Sequence, residues 1–223
     1  RVAVWARRED TVEAALQKGM ADEASGDLGK IVRDASLVVL CTPIGSMAEL
    51  ACEMAPALRP ETVVTDVGSV KAPVVERVSA ALRGRAHFIG SHPMAGSHET
   101  GLEAAQADLF QDAMCIVTAG ENADPGATRT VRELWQGLGA RVCELTPERH
   151  DQLVALISHL PHLVAAALVN VAAREDAAAF DVVGPGFRDT TRVASGSPGM
   201  WTEILTENRE AVLKSRGAVI GKR

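Results

Sequence analysis

The sequence predicts an α/β fold: a domain built on a parallel sheet, followed by an all-helical half. Three observations carry this. Short apolar runs alternate with helical patterns across residues 1–146, as strands joined by crossover helices do. The run Leu37-Val-Val-Leu-Cys-Thr42 is apolar on both faces, as a central parallel strand should be. After Thr146 no strand pattern returns, and Leu153–Ala173 stays apolar and alanine-rich at helical spacing.

Taken in order, Arg1–Ala6 alternates as a strand and runs into Arg7-Arg8-Glu9-Asp10. Asp10 is placed to cap the helix that follows, Glu13 stands at the capping-box position, and Gly19 closes it. A short helical piece, Asp27–Ala35, leads to the strand Leu37–Thr42. Ile44–Leu58 is helical, Thr62–Asp66 is a strand, and Pro73 lies near the start of a helix running to Leu82. The strand Ala86–Ile89, a helix around Leu102–Leu109 and the strand Met114–Thr118 come next. A helix over Pro125–Leu138, stopped by Gly139, and the strand Arg141–Leu145 close the series. Thr146-Pro147-Glu148 starts the helical half, Pro161 kinks its long helix, Gly184-Pro185-Gly186 breaks the chain, and Phe187–Glu210 reads mostly as helix. The expected domains are therefore residues 1–146 and 147–223. A helix apolar nearly all round wants covering on several sides, and only ~75 residues make a thin independent core. The helical half is expected to pack against a second copy of itself.

Composition narrows the function. Among the 223 residues, 47% are hydrophobic and 23% charged, ordinary for a globular protein. The net charge of −6, with no basic patch, argues against a nucleic-acid partner. No apolar run approaches the ~18 residues of a membrane span, because Asn170 breaks Leu163–Val169. The four cysteines, Cys41, Cys52, Cys115 and Cys143, lack metal-type spacing and read as buried free thiols of a reducing cytoplasm. No signal peptide is evident. The chain starts without Met, directly in a strand, and is expected to be a fragment.

Four stretches could carry chemistry. In Gly90-Ser-His-Pro-Met-Ala-Gly-Ser-His-Glu-Thr-Gly101, glycines and a proline hold the backbone, and His92 projects from a strand end. That is where open α/β sheets bind ligands, and an imidazole can accept a proton near neutral pH; a His capping a backbone carbonyl is the plainer alternative. Asp66-Val-Gly-Ser-Val-Lys71 stands where a strand meets a helix N-terminus, with Gly68 allowing close approach and Ser69 offering a hydroxyl. Cys41-Thr42-Pro43 ends the preceding strand on the same sheet edge. In the helical half, Ser158-His159-Leu-Pro-His162 sets two histidines at i, i+3. No third ligand is spaced for a metal there, so a polar cleft lining is the better reading. Phe187-Arg188-Asp189-Thr-Thr-Arg192 offers either a surface salt bridge or an arginine suited to bidentate carboxylate capture.

Placed together, these stretches resemble the prephenate/arogenate dehydrogenase family of tyrosine biosynthesis. The resemblance runs from about Arg1 to Leu213. Its motifs are Asp66–Lys71, Ser91-His-Pro-Met-Ala-Gly-Ser97, Leu109-Phe110, Ser158–His162, Phe187–Arg192 and Met200-Trp201, all in family order. It implies a Rossmann-type domain followed by a helical dimerisation domain in a homodimer, and oxidative decarboxylation with hydride transfer to NAD(P). It also implies that His92 accepts the substrate hydroxyl's proton and that Ser69 orients His92. Arg192 would bind a substrate carboxylate, with Ser158, His159, His162, Arg188, Asp189 and Trp201 around the pocket, Trp201 reaching it from the partner subunit. Ala6, Arg7, Arg8, Thr42, Pro43, Val67, Gly68 and Ser69 would contact the cofactor.

Three departures matter. The family's Gly-x-Gly-x-x-Gly turn, with its strand and helix, is absent from this sequence. Ala6 followed by Arg7-Arg8 stands where NAD-preferring relatives carry Asp, which favours NADP while leaving NAD possible. His98, with Glu99 next, replaces an expected Glu and leaves prephenate or arogenate open as substrate. Two rivals remain: a β-hydroxy-acid dehydrogenase of similar build, which needs a helix-borne Lys that this sequence lacks until Lys214, and a non-catalytic ligand-sensing dimer module.

Overall fold

The computed structural model describes residues 1–96, 101–120 and 123–220. It divides into two compact units, Arg1–Pro147 and Glu148–Arg223.

The first unit alternates strands and helices, as expected. The strand β1 (Ala3–Trp5) pairs in parallel with β2 (Glu23–Ser25), and α1 (Glu9–Gln17) joins them. Gly19 ends α1 in a left-handed conformation, φ +64°. The N-cap, however, is Arg8 rather than Asp10, with no side-chain cap bond. Asp10 lies inside the first turn, where the helix dipole favours a carboxylate, and accepts a 2.9 Å bond from Arg8 Nε. Glu13 is accordingly not at the capping-box position. The helix α2 (Leu28–Val32) is capped by Asp27, whose carboxylate accepts from the Lys30 N–H at 2.9 Å.

A second parallel sheet runs in the order β3 (Leu37–Leu40), β4 (Val63–Asp66), β5 (His87–Phe88). Between its strands lie α3 (Ile44–Met54), followed by a 3-10 turn at Ala55–Ala57, and α4 (Ala72–Leu82). Helix α3 buries Ile44, Met47, Ala51 and Met54, one helical stripe. Cys52 falls off that stripe and is exposed, as is Cys41 just past β3. Of the four free thiols only Cys115 is buried, so burial of the cysteines does not hold in general. Nor is β3 covered on both faces: it is an edge strand here, and Val39 is 36% exposed.

The third sheet corrects an expectation of parallel strands throughout. β6 (Gly90–Pro93) runs antiparallel to β7 (Met114–Thr118), which pairs in parallel with β8 (Arg141–Leu145). Only Ile89 separates β5 from β6, so no crossover connection exists to reverse the chain, and the extended segment meets β7 head to tail. Gly90 permits this approach, since a Cβ there would lie 2.5 Å from Thr118 Oγ1. Residues 102–109 hold only a 3-10 turn, Leu102–Ala104, in place of the expected helix. Helix α5 (Pro125–Gly137) is capped by Asp124, and Gly139 terminates that segment at φ +85°. Its Ala127, Val131 and Trp135 pack with Val63, Ile89, Cys115 and Val117 in one core, and Phe110 meets Trp135 edge-on at 5.1 Å.

The second unit is wholly helical among the described residues. α6 (Pro147–Val154), a π-turn at Ala155–His159 and α7 (Leu160–Glu175) follow one another directly. Pro161 does not break this run; it stands in the first turn of α7, where its missing N–H is tolerated. Residues Pro147–Glu175 thus form one 29-residue helix long and apolar enough, by length and composition alone, to cross a membrane. Asn170 ends the apolar run Leu163–Val169 but lies within this helix, so the expectation that no stretch approaches the length of a membrane span is corrected. Its outer face leaves Leu163, Val164, Leu168 and Val171 exposed. The stretch expected as mostly helix is divided into α8 (Pro185–Thr191), a 3-10 turn at Arg192–Ser195, α9 (Pro198–Glu207) and α10 (Arg209–Ile220).

Candidate active site

In the first unit the loop after β4 and the strand β6 are fastened together by buried polar groups. Asp66 and Lys71, both fully buried, form an ion pair. Lys71 Nζ also donates to the Ser91 carbonyl at 2.9 Å. Asp66 Oδ2 accepts from the Gly68 N–H at 2.9 Å, and Asp66 Oδ1 accepts from the Ser91 N–H at 3.1 Å. The Ser91 hydroxyl donates to the Asp66 carbonyl at 2.6 Å. With its proton so committed, its oxygen accepts from Thr65 Oγ1–H and Trp135 Nε1–H, each at 2.9 Å. Buried charges are tolerated when paired and hydrogen-bonded in this way.

The network holds Ser91, and therefore the next residue, His92, beside the C-terminal end of β4. His92 is 8% exposed and pairs with Ile116 of β7. It lies within a strand rather than in a loop beyond one. Beneath it, burial pushes the Cys115 thiol up to about 12, with a bond from the His92 backbone working against that. Cys115 is consequently no nucleophile at neutral pH. His98 and Glu99 lie outside the described residues.

The cofactor residues expected at the strand ends fall into two groups. Gly68 packs against the start of α3: a Cβ there would meet Asp66 Oδ2 at 2.9 Å and Ile44 Cγ1 at 3.3 Å. Thr42 and Pro43 therefore share one sheet edge with Val67, Gly68 and Ser69, where β3 and β4 end side by side. Thr42 Oγ1 is buried without a hydrogen-bond partner. A buried orphan hydroxyl calls for a ligand or water, so this edge fits a bound nucleotide. Ala6, Arg7 and Arg8 follow β1, in the separate two-stranded sheet. Arg8 forms an ion pair with Asp10, while Arg7 is exposed.

In the second unit three aromatic rings meet. Trp201 stacks on His162 with centroids 3.6 Å apart and planes at 6°, and stands edge-on to His159 at 6.1 Å. These contacts lie within one chain. Trp201 seats against Gly196, where a Cβ would lie 2.3 Å from its Nε1. His162 Nδ1 bonds the Val193 carbonyl at 2.8 Å, and His159 Nδ1 bonds Asn208 at 3.0 Å. Ser158 is half-buried beside them. Arg188, Asp189 and Arg192 are exposed, and their charged ends form no ion pair among the described residues, which sets aside the surface salt bridge. Nor do the described residues group three His, Cys, Asp or Glu side chains as a metal site.

Burial lowers His159 to about 4 against a smaller opposing pull from Asp151, and burial lowers His162 as well, opposed by the Val193 carbonyl. The sign follows directly. In the unfolded chain His159 titrates near 6.5, so its contribution to stability is complete above that pH. As pH falls from 6.5 to about 4 the unfolded chain takes up the proton first, and roughly 3 kcal/mol is lost. Urea midpoints should accordingly drop between pH 7 and pH 5, and His159→Phe should flatten the drop; an unchanged pH dependence in that variant would contradict the burial of a neutral ring.

Sequence reasoning did not single out Asp66, Lys71, Ser91 or Trp135 as site residues, nor Asn208. The first three lie in or beside the motifs already quoted, so their place was visible while their mutual contacts were not.

Comparison with known proteins agrees with this division. Residues 1–144 match the family model for the prephenate dehydrogenase nucleotide-binding domain, and residues 146–221 match that for the prephenate dehydrogenase dimerization domain. The prephenate dehydrogenase of Bacillus subtilis is 37% identical over 210 residues, covering 92% of this chain and 56% of that protein. The chain thus spans little more than half of that relative's length. The cyclohexadienyl dehydrogenase of Zymomonas mobilis is 34% identical over 95% of this chain and 73% of its own length. Among solved structures, prephenate dehydrogenase from A. aeolicus, in complex with hydroxyphenyl propionate and NAD+, superposes with a TM-score of 0.91 at 31% identity, over 98% of this chain and 77% of that one. Synechocystis arogenate dehydrogenase gives 0.85 at 36% identity, over 98% and 79%. With both domain models matched and relatives of this similarity, the chain belongs to the prephenate dehydrogenase family.

Proposed function

We propose that the protein is a prephenate or arogenate dehydrogenase, carrying out oxidative decarboxylation with NADP or NAD. The observation that carries the reading is the buried Asp66–Lys71–Ser91 network, which presents His92 at a sheet edge already shaped for a nucleotide. His92 accepts the proton of the ring hydroxyl, and Ser69 orients it. The bound nicotinamide supplies the acceptor for the hydride leaving the hydroxyl-bearing carbon. As that carbon becomes a carbonyl, the electrons of the ring–carboxylate bond pass into the ring, CO2 departs and the ring becomes aromatic. Arg192 binds a substrate carboxylate through its exposed guanidinium, and Arg188, Asp189, Ser158, His159, His162 and Trp201 are further substrate-binding residues of the second unit.

Thr42, Pro43, Val67, Gly68 and Ser69 hold the cofactor at the ends of β3 and β4, and Ala6, Arg7 and Arg8 hold its ribose. No carboxylate follows β1 until Glu9, and Arg7 has no ion pair among the described residues, which supports NADP over NAD; NAD+ is the cofactor in the A. aeolicus complex. The open apolar face of α7 supports a homodimer in which a second copy covers it. The four free thiols support a cytoplasmic setting.

Cofactor titration of the full-length protein tests this against the ligand-sensing alternative. NADP should bind, and Arg7→Ser should weaken it by about tenfold while leaving NAD nearly unchanged, the loss expected for one charge-assisted bond to a phosphate. A folded full-length protein that bound neither nucleotide would overturn the proposed activity.

A further inference from the structure

Asn208 lies between α9 and α10 and is 5% exposed. Its Nδ2 is 2.9 Å from the Asp151 carbonyl and 3.0 Å from His159 Nδ1. A carbonyl oxygen can only accept, so the amide must turn its NH2 end toward Asp151. Both hydrogens of that end are then donors, one spent on Asp151 and the other aimed at His159. His159 Nδ1 therefore carries a lone pair, and the single proton of the neutral ring sits on Nε2.

The ring is 1% exposed, and its Nε2 has no hydrogen-bond partner among the described residues. The fully buried side-chain atoms left without a partner among the described residues are Thr42 Oγ1 and Thr118 Oγ1, so the His159 Nε2–H is not sealed off and keeps access for an oxygen ligand. His162 is set the opposite way: its Nδ1 faces the Val193 carbonyl and donates, leaving Nε2 as an acceptor in the neutral ring. The backbone helps to place His159. In the π-turn the Leu160 N–H bonds back five residues to Ala155, and such wide turns recur at functional sites. Asp151, four residues before that turn, gives its carbonyl to Asn208.

We propose that Asn208 is a positioning residue: by donating to Nδ1 it locks His159 as the Nε2–H tautomer, a fixed donor for a substrate oxygen. The donor's use rests on the dehydrogenase reading; the lock does not. Around the ring the titratable groups are Asp151, His150 and His162, of which Asp151 favours the imidazolium and the two histidines oppose it. Asn208 opposes it too, because a proton on Nδ1 would set N–H against N–H.

Nitrogen-15 NMR of the full-length protein, with histidine labelled and the His159 signals assigned by their loss in His159→Gln, reads the lock directly. At neutral pH the wild type should show Nδ1 as the unprotonated nitrogen. Asn208→Asp offers an acceptor in its place and should move the proton to Nδ1 and raise the pH at which the ring titrates. Asn208→Leu, which keeps volume without a donor, should give a mixture of tautomers, and serves if the aspartate variant fails to fold. In both variants KM for the substrate should rise about tenfold, the loss expected when one hydrogen bond fails, with kcat and cofactor affinity little changed. A wild-type ring protonated on Nδ1, or a tautomer indifferent to both substitutions, would overturn the proposal. Since the spectra need no substrate, a wild type with the assigned tautomer but no turnover would contradict the activity and leave the lock standing.

Discussion

Replacing Lys71 by methionine should lower stability by about 3–5 kcal/mol, the usual consequence of removing one member of a buried ion pair. Asp66 would keep the N–H bonds of Gly68 and Ser91 but lose its counter-charge in a site with no access to water. Against a typical stability of about 5–15 kcal/mol that is a large share. The Ser91 carbonyl would lose its donor as well, loosening the strand that carries His92. Asp66→Asn combined with Lys71→Met should recover part of the loss, because no buried charge then remains unpaired. Urea unfolding at constant m-value measures both effects; a Lys71→Met change below about 1 kcal/mol would contradict the account of this network.

The second large effect concerns chemistry. His92→Asn should reduce kcat by about 10²–10⁴-fold, the range for a general base, with cofactor affinity unchanged and the fold intact. Asparagine fits the strand position and keeps the backbone pairing with Ile116, yet its amide cannot take a proton at neutral pH. The prediction separates the two ways in which a buried histidine matters. A structural His92 would show its loss in unfolding midpoints, whereas a base shows it in turnover alone.

How far the sequence discloses such a site depends on how local the determinants are. The strands at 63–66, 114–118 and 141–145 stand where apolar pattern and turn residues put them, and Asp27, Asp124, Gly19 and Gly139 act as caps or stops. These signals lie within a few residues of the element they define. The strand β2 has no such signal: Glu23-Ala-Ser25 is not an apolar run and is extended only because Ala3–Trp5 pairs with it. Conversely, residues 102–109 carry helix formers, but the N-cap is Gly101, which has no side chain to cap with, and only one 3-10 turn forms.

The same division applies to the site. His92, Ser158, His159 and His162 could be read from motif and spacing. What holds them could not, since Asp66 reaches Ser91 across 25 residues, Trp135 reaches it across 44 and Asn208 reaches His159 across 49. The π-turn that ends at His159 was also hidden, because an i, i+3 spacing reads as ordinary helix.

The most direct measurement is formation of reduced nicotinamide by the full-length protein, with prephenate and arogenate each tried against NADP and NAD. Turnover of at least one substrate, abolished in His92→Asn while cofactor still binds, is the result expected here. A folded, cofactor-binding protein that turned over neither substrate would contradict the account and favour a β-hydroxy acid in their place.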